Sequence, residues 1–206
     1  MRISELSQRS GVPVPSIKFY LREGLLPRGE LTSPNQARYD EDHLNRLRLV
    51  SALTGVGGLS VAAARDVLAV IDAEEPNLDD LMGVTLKAVH PITTENEPTD
   101  AEFAEVDSLA ERHGWYVHPD SPLREEVAQV VAALHRAGLD TGAGWVDGYA
   151  RAADDVARQD HEVLTGLDGL DEVLRTVVVG TVLGERLLAA LRRMAQASEA
   201  HRRYGV

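Results

Sequence analysis

The stretch MRISELSQRSGVPVPSIKFYLREGLLP (residues 1–27) decides the architecture of the first third of the chain. Ile3 and Leu6 lie about one turn apart, ahead of Ser10-Gly11-Val12, which reads as a short amphipathic helix closed by a glycine turn. Pro13 and Pro15-Ser16 then open a second helix carrying Ile17, Phe19, Tyr20 and Leu21, and Gly24 ends it. Two short helices joined by a tight glycine-containing turn predict a helix-turn-helix. In that motif the start of the second helix lies in the major groove of DNA. Here it would present Ser16, Lys18 and Arg22 outward, with Ile17 and Leu21 packed inward.

Outward from this core, Leu25-Leu26-Pro27 leads into the polar stretch Arg28–Arg38, where Gly29, Pro34 and Asn35 are turn residues. The pattern suits a two-stranded hairpin, or wing. Asp40-Glu41-Asp42 caps a helix with Leu44, Leu47, Val50 and Leu53 on one face. The loop Gly55-Val-Gly-Gly58 ends at Leu59-Ser60, and Ser60 would cap a further helix through Ile71. Breaks follow at Glu74-Glu75-Pro76-Asn77 and from Pro91 to Pro98. The remainder reads as four helices: Pro98 to about Arg112, one opened by Ser121-Pro122 and closed by Gly138, about Gly144–Leu164, and about Leu170–Ser198. The last is apolar nearly all round at Val177–Val179, Val182, Leu183, Leu187, Leu188 and Leu191, as in a core or subunit-interface helix. Its β-branched run Val177–Val179 also suits a short strand.

The expected fold is therefore mainly α, a winged helix-turn-helix with a small hairpin followed by an all-α region. The boundaries fall at 1–72 for the DNA-binding domain, 73–98 for a connecting helix and loop, and 99–206 for a helical effector-binding and dimerisation domain.

The net charge of −12 over 206 residues argues at face value against nucleic acid, since phosphates repel acidic surfaces. Divided, residues 1–72 hold 9 bases and 8 acids, a net +1, and the remainder 12 bases and 25 acids, a net −13. The obstacle lies in the half not expected to touch DNA. The absence of cysteine excludes disulfides and thiolate metal sites. With no apolar run at Met1–Ser10 and none long enough to span a bilayer, a soluble cytoplasmic protein without membrane attachment is expected.

The residues from Met1 to Val12, Ser16-Ile-Lys-Phe-Tyr20, Glu23-Gly-Leu-Leu-Pro27, Arg38-Tyr-Asp40, Leu44-x-x-Leu47 and Gly58-Leu-Ser60 resemble the MerR family of bacterial transcription regulators, in order and spacing. The resemblance covers about the first 72 residues. It implies that Ser16 and Lys18 meet base edges or phosphates and that Tyr20 contacts a phosphate. Ser16 as a plain helix start, Tyr20 as a core ring and Arg22 as a solvated surface residue are the alternatives. Arg28 and Arg38 are the wing candidates. Ser60 would place a helix N-terminus near the DNA backbone, or act only as a cap. Phe19 stands where the family often has a second tyrosine, and Gln36-Ala37 replace an aromatic and a basic residue usual in the wing.

The resemblance also implies a homodimer on a promoter pseudo-palindrome, DNA distortion that helps RNA polymerase, and a response to an effector. Because Pro91 cuts short the helix beginning at Leu78, dimerisation is expected from Asp100–Arg112 or the last helix. Without cysteine, the effector would be an organic small molecule rather than a thiolate-bound metal. Trp115, Tyr116, Trp145 and Tyr149 are its candidate pocket, with Asp147 or Asp154 selecting a cation, unless the aromatics are core or interface anchors. The histidines (His43, His90, His113, His118, His135, His161, His201) do not suggest a metal site, and no cofactor is expected. Residues 73–206 hold no nucleophile–base motif or phosphate loop, so an enzyme is not expected. A ligand-independent repressor or architectural DNA-binding protein is the alternative.

Overall fold

The computed structural model describes residues 1–33, 36–73, 78–89, 97–139 and 142–205. The wing turn at Pro34-Asn35, the break at Glu74–Asn77, and His90 with the break from Pro91 to Asn96 lie outside the described residues. The chain forms two compact units. One joins Met1–His90 to Leu167–Val206, and the other is Pro91–Gly166.

In the first unit, helix α1 (Ile3–Ser10) turns into α2 (Val14–Arg22) through Gly11, whose φ of 73° is a left-handed conformation that other residues rarely adopt. The Gly11 N–H donates to the Ser7 carbonyl, and the Ser7 hydroxyl donates to the Val12 carbonyl at 2.6 Å, which fixes the turn. Strands β1 (Glu30–Ser33) and β2 (Gln36–Arg38) pair antiparallel, Glu30 opposite Arg38 and Leu31 opposite Ala37, with a register shift between Leu31 and Ser33. Leu6, Val12, Ile17, Leu26, Tyr39, Leu44 and Leu47 form the core beneath these elements.

Helix α3 (Glu41–Thr54) starts at an Asp40 cap that accepts the His43 N–H at 3.0 Å. Helix α4 (Val61–Ile71) starts at Ser60, which accepts the Ala63 N–H at 3.1 Å. Both caps stand where the sequence placed them. After α5 (Leu78–Val89), the unit is completed by the 35-residue α9 (Leu170–Tyr204), which is helical through Val177–Val179. Leu174, Val178 and Val182 of α9 join Leu25, Leu49, Val50, Leu53, Val67, Leu68 and Leu81 in a second core.

This grouping differs from boundaries at 72 and 98. The apolar start of α9, expected with residues 99–206, buries itself on α3, α4 and α5 instead. An apolar helix face announces burial but not its partner, so chain order alone put α9 with its neighbours.

In the second unit, α6 (Asp100–His113) opens with a capping box between Thr99 and Glu102, and α7 (Pro122–Arg136) with Ser121 as cap. Helix α8 (Gly142–Leu164) follows. Val106, Ala128 and Val131 are its buried core, with Phe103 against them.

Candidate nucleic-acid interface

A DNA-reading surface needs cations that are exposed and not already neutralised by the protein's own carboxylates. Several arginines of residues 1–72 fail that test. Arg9 makes a two-pronged pair with Glu41. Arg46 donates to the Leu25 carbonyl at 3.0 Å and grips Asp72 with both terminal nitrogens. Arg65 donates to the Glu23 carbonyl at 3.1 Å. These three tie α1, α3 and α4 to the rest of the unit and serve the fold.

The expected contact residues are differently placed. Ser16 is half-buried in the first turn of α2, and Lys18 and Arg22 are exposed on it. Among the described residues, Lys18, Arg28 and Arg38 form no ion pair. Arg22 stacks its guanidinium 5.3 Å from the Phe19 ring centre and lies 3.5 Å from the Glu23 carboxylate, with 70% of its side chain exposed. Phe19, the position that departs from the family's tyrosine, therefore supports a neighbouring cation by its ring face.

Ser16, Phe19, Tyr20, Thr54, Leu59 and Ser60 line an open groove of about 540 Å³ at the junction of α2, α3 and α4. Ser16 and Tyr20, about one turn apart on α2, come together there with Ser60, which is distant in sequence. The Thr54 hydroxyl donates to the Val50 carbonyl at 2.8 Å, so the Tyr20 hydroxyl, 3.0 Å away, donates to Thr54. The free protein thus commits the Tyr20 proton internally and holds the ring against the groove wall.

At the wing, Arg38 lines a second cleft of about 520 Å³ with Arg2, Glu5, Glu30 and His43. Arg2 is exposed and without an ion pair among the described residues, and sequence reasoning missed it. Its signal was available only once Tyr39 N–H was known to donate to the Met1 carbonyl, which brings the N-terminus beside the wing.

The four aromatics proposed as an effector pocket are not gathered on one face of α8. Trp145 and Tyr149 pair with ring centres 4.6 Å apart, both partly exposed. Trp115 donates its indole N–H to Asp154 at 2.6 Å, and Asp154 is nine residues, two and a half turns, beyond Trp145 on α8. The two tryptophans therefore belong to opposite sides of that helix. Tyr116 is 93% exposed.

Asp147 and Asp154, candidates for selecting a cation, have protein partners. Arg112 pairs with Asp147 through two nitrogens at 3.2 and 3.0 Å, holding that carboxyl below its usual range with help from His113. The Trp115 N–H, then His113, does the same for Asp154. His113 has both ring nitrogens 3.2 Å from carboxylates, Nδ1 to Asp154 and Nε2 to Asp147.

Comparison with known proteins places this geometry. The family model described as MerR HTH family regulatory protein matches residues 1–70. Among curated proteins, an HTH-type transcriptional regulator described as a ZntR homolog, from Haemophilus influenzae, is 27% identical over 94 residues, 46% of this chain and 69% of that protein. The mercuric resistance operon regulatory protein of Bacillus cereus is 28% identical over 91 residues, 44% of this chain and 68% of that protein. The crystal structure of SCO5550 from Streptomyces coelicolor A3(2), assigned as a transcriptional regulator, matches with a TM-score of 0.76 and 38% identity. That match covers 100% of this chain and 99% of the other.

Proposed function

The chain belongs to the MerR family of transcriptional regulators, and from that premise we propose that it binds a promoter pseudo-palindrome as a homodimer and responds to an organic small molecule. The observation that carries the DNA reading is the contrast among its arginines and lysines. Arg9, Arg46 and Arg65 are spent on the fold, while Lys18, Arg28 and Arg38 are exposed and unpaired among the described residues. Ser16, Lys18 and Arg22 of α2 address the major groove. Arg28 and Arg38 of the wing and the Ser60 turn address phosphates, with Tyr20 holding the groove between them.

The dimer reading rests on α9. Gly180, Gly184, Leu187, Leu191, Met194 and Ser198 recur at alternating steps of four and three, the spacing of a two-helix seam. Leu187, Leu191 and Met194 are 60%, 46% and 66% exposed in the single chain. A second copy of α9 is the occupant that supplies the same seam with twofold symmetry. Dimerisation and effector response, expected together in residues 99–206, then divide between α9 and the unit Pro91–Gly166. One relative is named for a mercuric resistance operon, but this chain has no cysteine, so a thiolate-held metal is not carried over. The protein acts on promoter DNA with RNA polymerase in the cytoplasm and is not an enzyme. No described helix is long and apolar enough to cross a membrane.

The test is salt-dependent binding to DNA upstream of its own gene. The Lys18→Ala/Arg22→Ala chain is expected to bind more weakly and, with two cations removed from each subunit of the dimer, to lose up to about four units of the logarithmic salt slope. Binding as tight as wild type would refute the assignment of α2. A thermal-shift screen of metabolites addresses the effector. A ligand that raises Tm and changes operator affinity supports it, and binding without change in affinity favours the ligand-independent repressor.

A further inference from the structure

The loop Gly55–Gly58 between α3 and α4 is held by α9 across 129 residues of sequence. Arg186 donates to the Gly57 carbonyl through Nε at 3.2 Å and through Nη2 at 3.1 Å. Gly57 is buried, and a Cβ there would fall 2.5 Å from Val182 Cγ1 and 2.5 Å from the Leu53 carbonyl oxygen. Gly58 has φ +72°, and its Cβ would fall 2.7 Å from Arg186 Nη2. Bare backbone at these positions lets α9 close on the loop and brings the Gly57 carbonyl within reach of the guanidinium.

The position of this grip along α9 gives it a consequence. Leu174, Val178 and Val182 are buried in the DNA-reading unit, and Arg186 continues their face one turn further. The next residue, Leu187, belongs to the exposed seam. Hold on the reading unit and seam for the partner therefore meet without an intervening segment.

We propose that Arg186 is a specificity-determining residue: by fixing the Gly57 loop to α9 at the edge of the seam, it sets the separation and relative rotation of the two reading units, and so the half-site spacing the protein accepts. This rests on the dimer reading above. One base pair added between half-sites moves them apart along the duplex and rotates one by about 35° relative to the other. A dimer whose units are rigidly fixed to the paired helices meets that change at the loss of one half-site. A dimer held only by Leu174, Val178 and Val182 pivots on those contacts and follows it. Two N–H groups of one planar guanidinium on a single carbonyl define an orientation, which a lysine ammonium does not.

The experiment compares wild type, Arg186→Ala and Arg186→Lys. Each is bound to the footprinted upstream duplex and to versions with one base pair inserted or removed at its centre, and its mass is measured by sedimentation. Wild type is expected to lose about tenfold or more in affinity on either altered duplex. Arg186→Ala is expected to remain dimeric and to lose under about threefold, with Arg186→Lys between them. A dimeric Arg186→Ala with wild-type spacing preference overturns the proposal and leaves the dimer reading intact. So does a uniform loss of affinity on all duplexes, the mark of a merely structural arginine. A wild-type chain that sediments as a monomer and protects one half-site overturns the dimer reading, and this proposal with it.

Discussion

At the scale of single residues, hydrogen-bond accounting separates side chains that serve the fold from those proposed to meet DNA. Arg46 is spent on Leu25 and Asp72 and is only 14% exposed, whereas Lys18 has no such partner among the described residues. Arg46→Ala is expected to lower stability by about 1–2 kcal/mol, visible as a drop in Tm, with little effect on the salt slope of DNA binding. Lys18→Ala is expected to do the reverse, reducing that slope by about two in the dimer, one for each subunit, at unchanged Tm. Thr85 offers a test of opposite sign. It is fully buried on α5, and its hydroxyl has no hydrogen-bond partner among the described residues. Thr85→Val keeps the shape and removes the unpaired group, so thermal unfolding is expected to shift upward by an amount equivalent to about 1 kcal/mol.

Among the elements, local chemistry was legible wherever a feature is encoded within a few neighbours. The Gly11 turn, the Asp40, Ser60 and Ser121 caps, the hairpin and the inward Ile17 each depend on residues at most a turn away, and each is where the sequence put it. The grip of Arg186 on Gly57 was not legible, because its acceptor is a backbone carbonyl and carries no residue signature. Nor was the separation of Trp115 from Trp145, since the fold of α6 against α8 decides which face each aromatic meets.

The capping and ion-pair chemistry of the second unit predicts its acid response. The Thr99 hydroxyl and N–H, with His135, lower Glu102 from 4.5 to about 2. Arg124 lowers Asp107, and Arg112 and Trp115 lead in lowering Asp147 and Asp154. A carboxyl depressed in the folded state stabilises it above the unfolded pKa and ceases to do so as pH falls through the folded one. Melting followed by circular dichroism is therefore expected to be flat in these contributions above about pH 5 and to fall toward pH 2. Glu102→Gln is expected to flatten part of that fall; an unchanged pH profile would show that the Thr99–Glu102 box contributes nothing.

For the whole molecule, the two compact units sharpen the charge division. Met1–His90 with Leu167–Val206 carries 16 Lys/Arg against 17 Asp/Glu, a net −1, and Pro91–Gly166 carries 5 against 16, a net −11. Returning α9 to the reading unit thus leaves nearly all the acidity on the unit that is not proposed to meet DNA. It also makes α9 the element that both completes the core of that unit and carries the proposed dimer seam. Burying the exposed half or so of each of Leu187 and Leu191 in a dimer is worth about 1 kcal/mol or somewhat more per side chain, and a glutamate there would bring charge into the seam. Leu187→Glu/Leu191→Glu is therefore expected to sediment as a folded monomer.

The central claim, a twofold DNA reader built on α2 and the wing, is tested most directly by footprinting the purified protein on DNA upstream of its own gene. Two protected half-sites related by a dyad are expected, lost together in Lys18→Ala/Arg38→Ala. Absence of protection at moderate salt, or a footprint unchanged in that variant, would contradict it.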